Sequence, residues 1–185
     1  MIRRHLLLGF GAATLAACGT TTPFGGSGAA PQVARSYDVA AFQFVASPNL
    51  SVSEGDGFYP FADIVWRGDP PGDRTAQIAA MFETAIARNG GVLVGDTPVA
   101  VRVQLIRFHG VTEKTRFSVG GNYNIVFDMT VSDARTGAVI EPTRRVVGNL
   151  DAPGGSTAAR LERDGQTEKV RVTGYLTSLL RAQLS

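Results

Sequence analysis

From Pro98 to Asp133 the chain alternates apolar and polar residues twice over. Val99, Val101, Val103 and Leu105 stand against Ala100, Arg102 and Gln104, and Tyr123, Ile125, Phe127, Met129 and Val131 repeat the pattern. Successive side chains of a strand point to opposite faces, so this period of two requires two strands that each bury one face. Asp133-Ala134-Arg135-Thr136-Gly137 supplies a turn, and residues 138–150 continue as a further strand. The three strands predict an antiparallel meander, which needs an apolar cover across its buried face.

Two segments can supply that cover. Over about Thr75 to Arg88, Ile78, Phe82, Ala85 and Ile86 fall on one helical face. Arg88 sits in the last turn, and Asn89-Gly90-Gly91 predicts a left-handed stop. Over about Thr167 to Leu184, Val172, Leu176, Leu179 and Leu180 form a second stripe. Tyr37–Ser47 and Ala62–Gly68 read as strands ahead of the first helix, and Thr157–Arg163 as a short helix. The order predicts an α+β domain: a mostly antiparallel sheet of about five strands with two helices packed on one face.

The first part of the 185-residue chain does not belong to that domain. Arg3 and Arg4 precede an apolar run from Leu6 to Ala17, well short of the ~20 residues needed to cross a bilayer. Leu15-Ala16-Ala17-Cys18 resembles the lipobox of bacterial lipoproteins, in which the cysteine becomes the first mature residue. That resemblance implies a signal peptide over 1–17 and lipidation of Cys18 by a diacylglyceryl group and an N-acyl chain such as palmitate. It also implies no other cofactor. Residues 18–35, rich in Gly, Thr, Ser, Ala and Pro, then read as a tether to one domain over 36–185. Loss of the signal removes Arg3 and Arg4 and no acid, so 18 basic against 16 acidic residues becomes 16 against 16. The basic excess therefore gives no support for nucleic acid as a partner. Cys18 is the single cysteine, so no internal disulfide can form.

Chemistry-bearing residues are sparse. Trp66–Arg74, "WRGDPPGDR", could bind an anion through Arg67 and Arg74, but it lacks the glycine spacing and lysine of a phosphate loop. The alternative is a strand-to-helix turn capped by Asp73 or Thr75. His109 is the one histidine beyond the signal. No second histidine or free cysteine accompanies it for a zinc site, and no nucleophile elbow surrounds Ser118, Ser132 or Ser156. It reads as a turn or rim residue. Residues 111–124 connect two strands at unusual length. They read either as a long hairpin with a glycine bulge or as a projecting loop that offers Glu113, Lys114 and Arg116 to a partner. No catalytic residue and no metal ligand set emerges.

With its signal, lipobox and tether, "FDMTVSDARTGAVI" resembles small bacterial envelope lipoproteins, among them auxiliary lipoproteins of ABC-type transport systems. The strings "WRGDPPGDR", "RFHGVTEKTR" and "GQTEKVRVTGYL" are similar to an uncharacterised lipoprotein family of alphaproteobacteria. These resemblances imply a non-enzymatic, lipid-anchored accessory or assembly component of a cell-envelope or transport system. Its partners would be the membrane and envelope proteins. Gly19 after the cysteine, where Asp would retain the protein at the inner membrane, implies the periplasmic face of the outer membrane. The alternative expectation is a periplasmic small-ligand or lipid-binding module with a cleft between sheet and helices. A third is a hydrolase built around His109.

Overall fold

The computed structural model describes residues 35–185; the signal peptide expected over 1–17, Cys18 and all but the last residue of the tether expected over 18–35 lie outside the described residues. Its long strands are β1 (Tyr37–Ala46), β3 (Thr97–His109), β4 (Gly121–Asp133) and β5 (Val139–Ala152), with a two-residue β2 (Ile64–Val65). The sheet runs β1-β3-β4-β5, and β2 continues alongside β3 beyond the end of β1. The meander β3-β4-β5 is antiparallel as its alternation requires. Both β1 and β2, however, pair with β3 in parallel, so the sheet is mixed rather than mostly antiparallel. The physical reason is the connection: the chain returns from β1 to β3 through a helix, and such a crossover brings strands together pointing the same way.

Among the described residues there are four helices rather than two. The long pair, α1 (Arg74–Asn89) and α4 (Glu168–Leu184), cover one face of the sheet, and the short α2 (Glu113–Arg116) and α3 (Gly155–Arg163) sit at one end of it. Under α1, Phe82 meets Phe44 and Phe127 with ring centroids 5.3 Å apart in both pairs. Under the start of α4, Trp66, Phe108 and Tyr123 form a second aromatic group with Trp66 edge-on to Phe108 at 5.7 Å. Edge-to-face rings of this kind add to the burial itself.

Asp73 caps α1, accepting from Ala76 N at 3.0 Å. The expected left-handed stop at its other end is absent: Gly90 lies at φ −60° in the right-handed region. Asn89 does the work there instead. Fully buried, it donates from Nδ2 to Ala85 O (3.1 Å) and Thr177 O (2.9 Å) and accepts from Arg181 Nε at 3.0 Å, which pins α1 to α4. The uncovered face of the sheet carries cross-strand polar pairs, Asn124–Asn149, Asp128–Arg145 and Thr130–Thr143. These satisfy one another and mark it as a solvent face.

The connections are unevenly divided. At the base of the sheet, where Tyr37 pairs with Thr97, lie Arg35, the 90–96 connection, the 134–138 turn and the C-terminus. At the crown, where His109 pairs with Asn124, lie segments 47–63, 66–73, 110–120 and 153–167. The 13 residues of β3 separate the two ends by about 40 Å.

Candidate functional site at the crown

The crown displays aromatic side chains to solvent. Tyr59 is 78% exposed and Phe61 fully so, with Phe58 about half exposed beside them. Phe117 and Val119 of the neighbouring segment are exposed as well. Isolated apolar residues at a surface need no explanation, but three exposed aromatics within four residues make this loop the candidate site of the fold.

That loop is braced from beneath. Thr112 and Thr115, both buried, belong to the β3–β4 connection. Thr112 Oγ1 donates to Gly57 O at 2.9 Å, and Thr115 Oγ1 donates to Phe58 O at 3.0 Å. Lys114 N donates to Asp56 Oδ1 at 2.9 Å, and the Lys114 ammonium lies 4.5 Å from the Phe58 ring centre. Thr112 also caps α2, accepting from Thr115 N at 3.2 Å. Gly120 closes the segment at φ +73°, where an added Cβ would stand 2.5 Å from Ala152 O and Gly154 N. Residues 111–120 are thus a docked one-turn helix with its flanks, residues 121–124 already belonging to β4, and its bonds to Asp56, Gly57 and Phe58 hold the aromatic loop in place.

The three residues singled out in that connection separate. Glu113 and Lys114 are exposed at the crown. Arg116 instead turns inward, pairing with Glu162 and lying 3.8 Å from Glu168. Glu168, in the first turn of α4, is 4% exposed; burial pushes its carboxyl up, against the pull of Tyr123, Arg116 and Arg171. Tyr123 Oη and Glu168 Oε2 are both buried, and among the described residues neither has a partner of hydrogen-bond geometry.

The "WRGDPPGDR" arginines are also engaged within the chain. Arg74 forms a two-pronged pair with Glu54 (2.8 and 2.9 Å) and donates to Asp69 O and Pro70 O. Arg67 donates to Trp66 O, Ser53 O and Gly55 O. Trp66 Nε1 and Lys169 Nζ both reach Asp69, at 2.9 and 2.6 Å. This geometry is that of the strand-to-helix turn, with the donors of an anion loop already satisfied.

Beside the aromatic loop opens a cleft of about 300 Å³, lined by Tyr59, Pro60, Phe61, Ser51, Asp63, Arg107 and His109 among others. His109 Nδ1 lies 2.9 Å from Ala62 O. A carbonyl can only accept, so Nδ1 carries the proton and Nε2 is the acceptor of the neutral ring. Ser51 donates from both N (2.9 Å) and Oγ (2.7 Å) to Asp63 Oδ2. These two bonds, with lesser attraction from Arg107 and His109, hold the Asp63 carboxyl below its ordinary range. Serine, aspartate and histidine thus meet here, but not in relay order: Ser51 gives its proton to Asp63, and His109 gives its own to Ala62. Neither Ser118, Ser132 nor Ser156 lines the cleft.

At the base, Glu141 is 6% exposed and gathers Arg35 (2.7 and 3.2 Å), Tyr37 Oη (2.9 Å) and Arg144 Nε (3.2 Å). Arg144 continues to Gln183 O at 2.8 Å. Burial raises the Glu141 carboxyl, but the three donors outweigh it and the net shift is downward; burial and Glu141 push the Tyr37 hydroxyl up to about 12. The clamp fixes where the chain enters the fold.

Comparison with known proteins places the chain in a family without an assigned activity. The model of a family of unknown function, DUF6778, matches residues 37–185, and the chain belongs to that family. No curated protein matches it. Among solved structures it is similar to a candidate lipoprotein from Caulobacter crescentus CB15, at 16% identity and a TM-score of 0.28 over 62% of this chain and 82% of that one. It is also similar to a Xanthomonas campestris protein of family DUF330, at 16% identity and a TM-score of 0.37 over 83% and 93%. Likenesses of that size decide nothing about activity.

Proposed function

We propose that this member of an uncharacterised family is a lipid-anchored periplasmic accessory protein, held to the membrane through Cys18 and engaging an envelope protein through its crown. The observation that carries the reading is the opposition of the two ends. Arg35, where the tether meets the domain, is clamped at the base, while the exposed aromatics stand about 40 Å away at the crown. A tether attached at one end leaves the other free to meet a partner. Tyr59 and Phe61 on a braced loop are the kind of rigid aromatic surface that dominates protein interfaces. Gly19 favours the outer membrane, periplasmic face, and the role is non-enzymatic.

The ligand-module alternative needs a cavity between sheet and helices. The residues lining that interface, such as Ile78, Phe82, Phe127 and Leu176, are fully buried against one another, which weighs for the accessory reading. The test is affinity capture of the mature lipoprotein from crosslinked envelopes, read by mass spectrometry. Native protein should recover a transport or assembly component, and Phe61→Ala should lose it. Recovery of bound lipid with no protein would turn the assignment to the ligand module. Cys18→Ala should abolish lipid labelling and membrane retention; unchanged retention would sink the anchor.

A further inference from the structure

Arg107 is the charged group of the crown cleft that the fold leaves without a use. It is half-buried and lines the cleft, yet among the described residues its guanidinium makes no hydrogen bond or ion pair. The other buried or half-buried arginines of the crown differ: Arg67, Arg74, Arg116 and Arg171 all donate to carboxylates or carbonyls within the chain, whereas Arg160 and Arg163 of α3 are exposed to solvent. The carboxylate beside Arg107 is Asp63, and its Oδ2 already takes both donors of Ser51. A guanidinium presents five donors in a flat fork suited to a carboxylate.

Its position results from a break in β3. Val99, Val101, Val103 and Leu105 face the core, and continued alternation would send Arg107 inward after them. A register shift between Leu105 and Arg107 lets Phe108 take the buried position instead. Arg107 and His109 then share the outer face, in a cleft walled by Tyr59 and Phe61. Bulges that re-aim a side chain in this way are characteristic of functional edges.

We propose that this cleft receives a carboxylate of the protein partner, with Arg107 as its receptor and an apolar neighbour of that carboxylate seated against Tyr59 and Phe61. The inference rests on the crown being the partner-binding end. Location favours a protein over the anchoring membrane, because the chain enters the domain about 40 Å from the cleft, which leaves the cleft free to face away from the bilayer. Charge selects an acid, because the unmet groups are the donors of Arg107. Aromatic walls select an apolar residue beside it, and a desolvated ion pair flanked by such contacts is the strong form of charge recognition.

Arg107→Lys, made in the full-length lipoprotein, converts this geometry into a covalent record. A carbodiimide joins an amine to a carboxylate in contact with it, and the natural chain has only Lys114 and Lys169. Lys169 Nζ, 2.6 Å from Asp69, is an internal control that should couple within the chain. In whole envelopes, the expected product joins position 107 to an Asp, Glu or chain terminus of another protein, adjacent to an apolar residue. Its yield should fall at least about fivefold when Phe61→Ala is added. Arg107→Gln should reduce partner capture about tenfold with folding intact. Coupling of position 107 only to Asp63, while Phe61-dependent capture persists, would overturn this inference and leave the crown reading standing. An adduct with the mass of a lipid headgroup would overturn it too. Loss of Phe61 dependence altogether would instead refute the crown reading.

Discussion

Thr115→Val separates the brace of the aromatic loop from the loop itself. Thr115 is buried and valine has its shape, so the substitution removes the hydroxyl while leaving the outline of the side chain. What disappears is the hydroxyl that donates to Phe58 O at 3.0 Å and sits 3.0 Å from Thr112 Oγ1. A net hydrogen bond contributes about 1 kcal/mol, and an acceptor stranded out of reach of water adds roughly 1–3 kcal/mol. Phe58 is about half exposed, so its carbonyl can recover water when the loop lifts, which keeps the total near 1–2 kcal/mol. For a domain of this size that is a fall in Tm of about 2–8 °C. The lifted loop is itself the consequence of interest. Hydrogen exchange should accelerate over residues 55–61 while β3 and β4 keep their protection, and partner capture should weaken in step. A variant that exchanges like wild type over 55–61, or whose exchange rises equally across the sheet, would show that Thr115 does not brace the loop.

Two buried carboxylates should respond to pH in opposite senses. The folded state depresses Glu141, so its stabilisation is present above the unfolded pKa and is lost as pH falls through the folded one. Glu141→Gln should therefore be less stable than wild type by about 1–3 kcal/mol at neutral pH, with the gap closing below about pH 4, as read by thermal melts across pH. Burial raises Glu168, so its ionised form costs stability, and the penalty grows as pH rises above the unfolded pKa. Glu168→Gln should gain on wild type as pH rises above the ordinary carboxylate range of about 4; a relative loss over that rise would mean that Arg116 and Arg171 dominate. Gly68→Ala should cost about 1–3 kcal/mol or more, since its Cβ would stand 2.3 Å from the ring of fully buried Trp66. An unchanged melting temperature would show that the Trp66–Asp69 turn can move freely.

Much of the fold was legible because alternation reports a buried face directly, as in β3, β4 and the turn at Asp133–Gly137. Period two does not name a strand's neighbour, which is why the parallel pairing of β1 escaped a reading based on the meander. The signal was the helix between β1 and β3, since a crossover of that length favours parallel strands. Helix α2 is a single turn and has no periodicity to read. At the C-terminus of α1, Asn-Gly-Gly suggested a left-handed stop, but tertiary bonds to buried Asn89 decide the geometry. His109 ends β3, in keeping with a rim residue, but nothing local in the sequence ties Arg107 and Ser51 to it. The available sign was the string Leu105-Ile106-Arg107-Phe108, where the apolar phase shifts by one residue. The aromatic loop was equally visible as Phe58, Tyr59 and Phe61 within four positions, but without a core to compare against, aromatics read as burial. Arg116 shows the converse: a loop cation by sequence, it is held in an ion pair with Glu162.

Site-specific photocrosslinking in intact envelopes tests the two-ended account most directly. A photoreactive residue at position 61 reports on the crown, and one at position 94, where Val94 is 72% exposed at the base, reports on the tether end. The account predicts a discrete protein adduct from position 61 that position 94 does not give. Protein adducts from position 94 alone, or only lipid adducts from position 61, would contradict it.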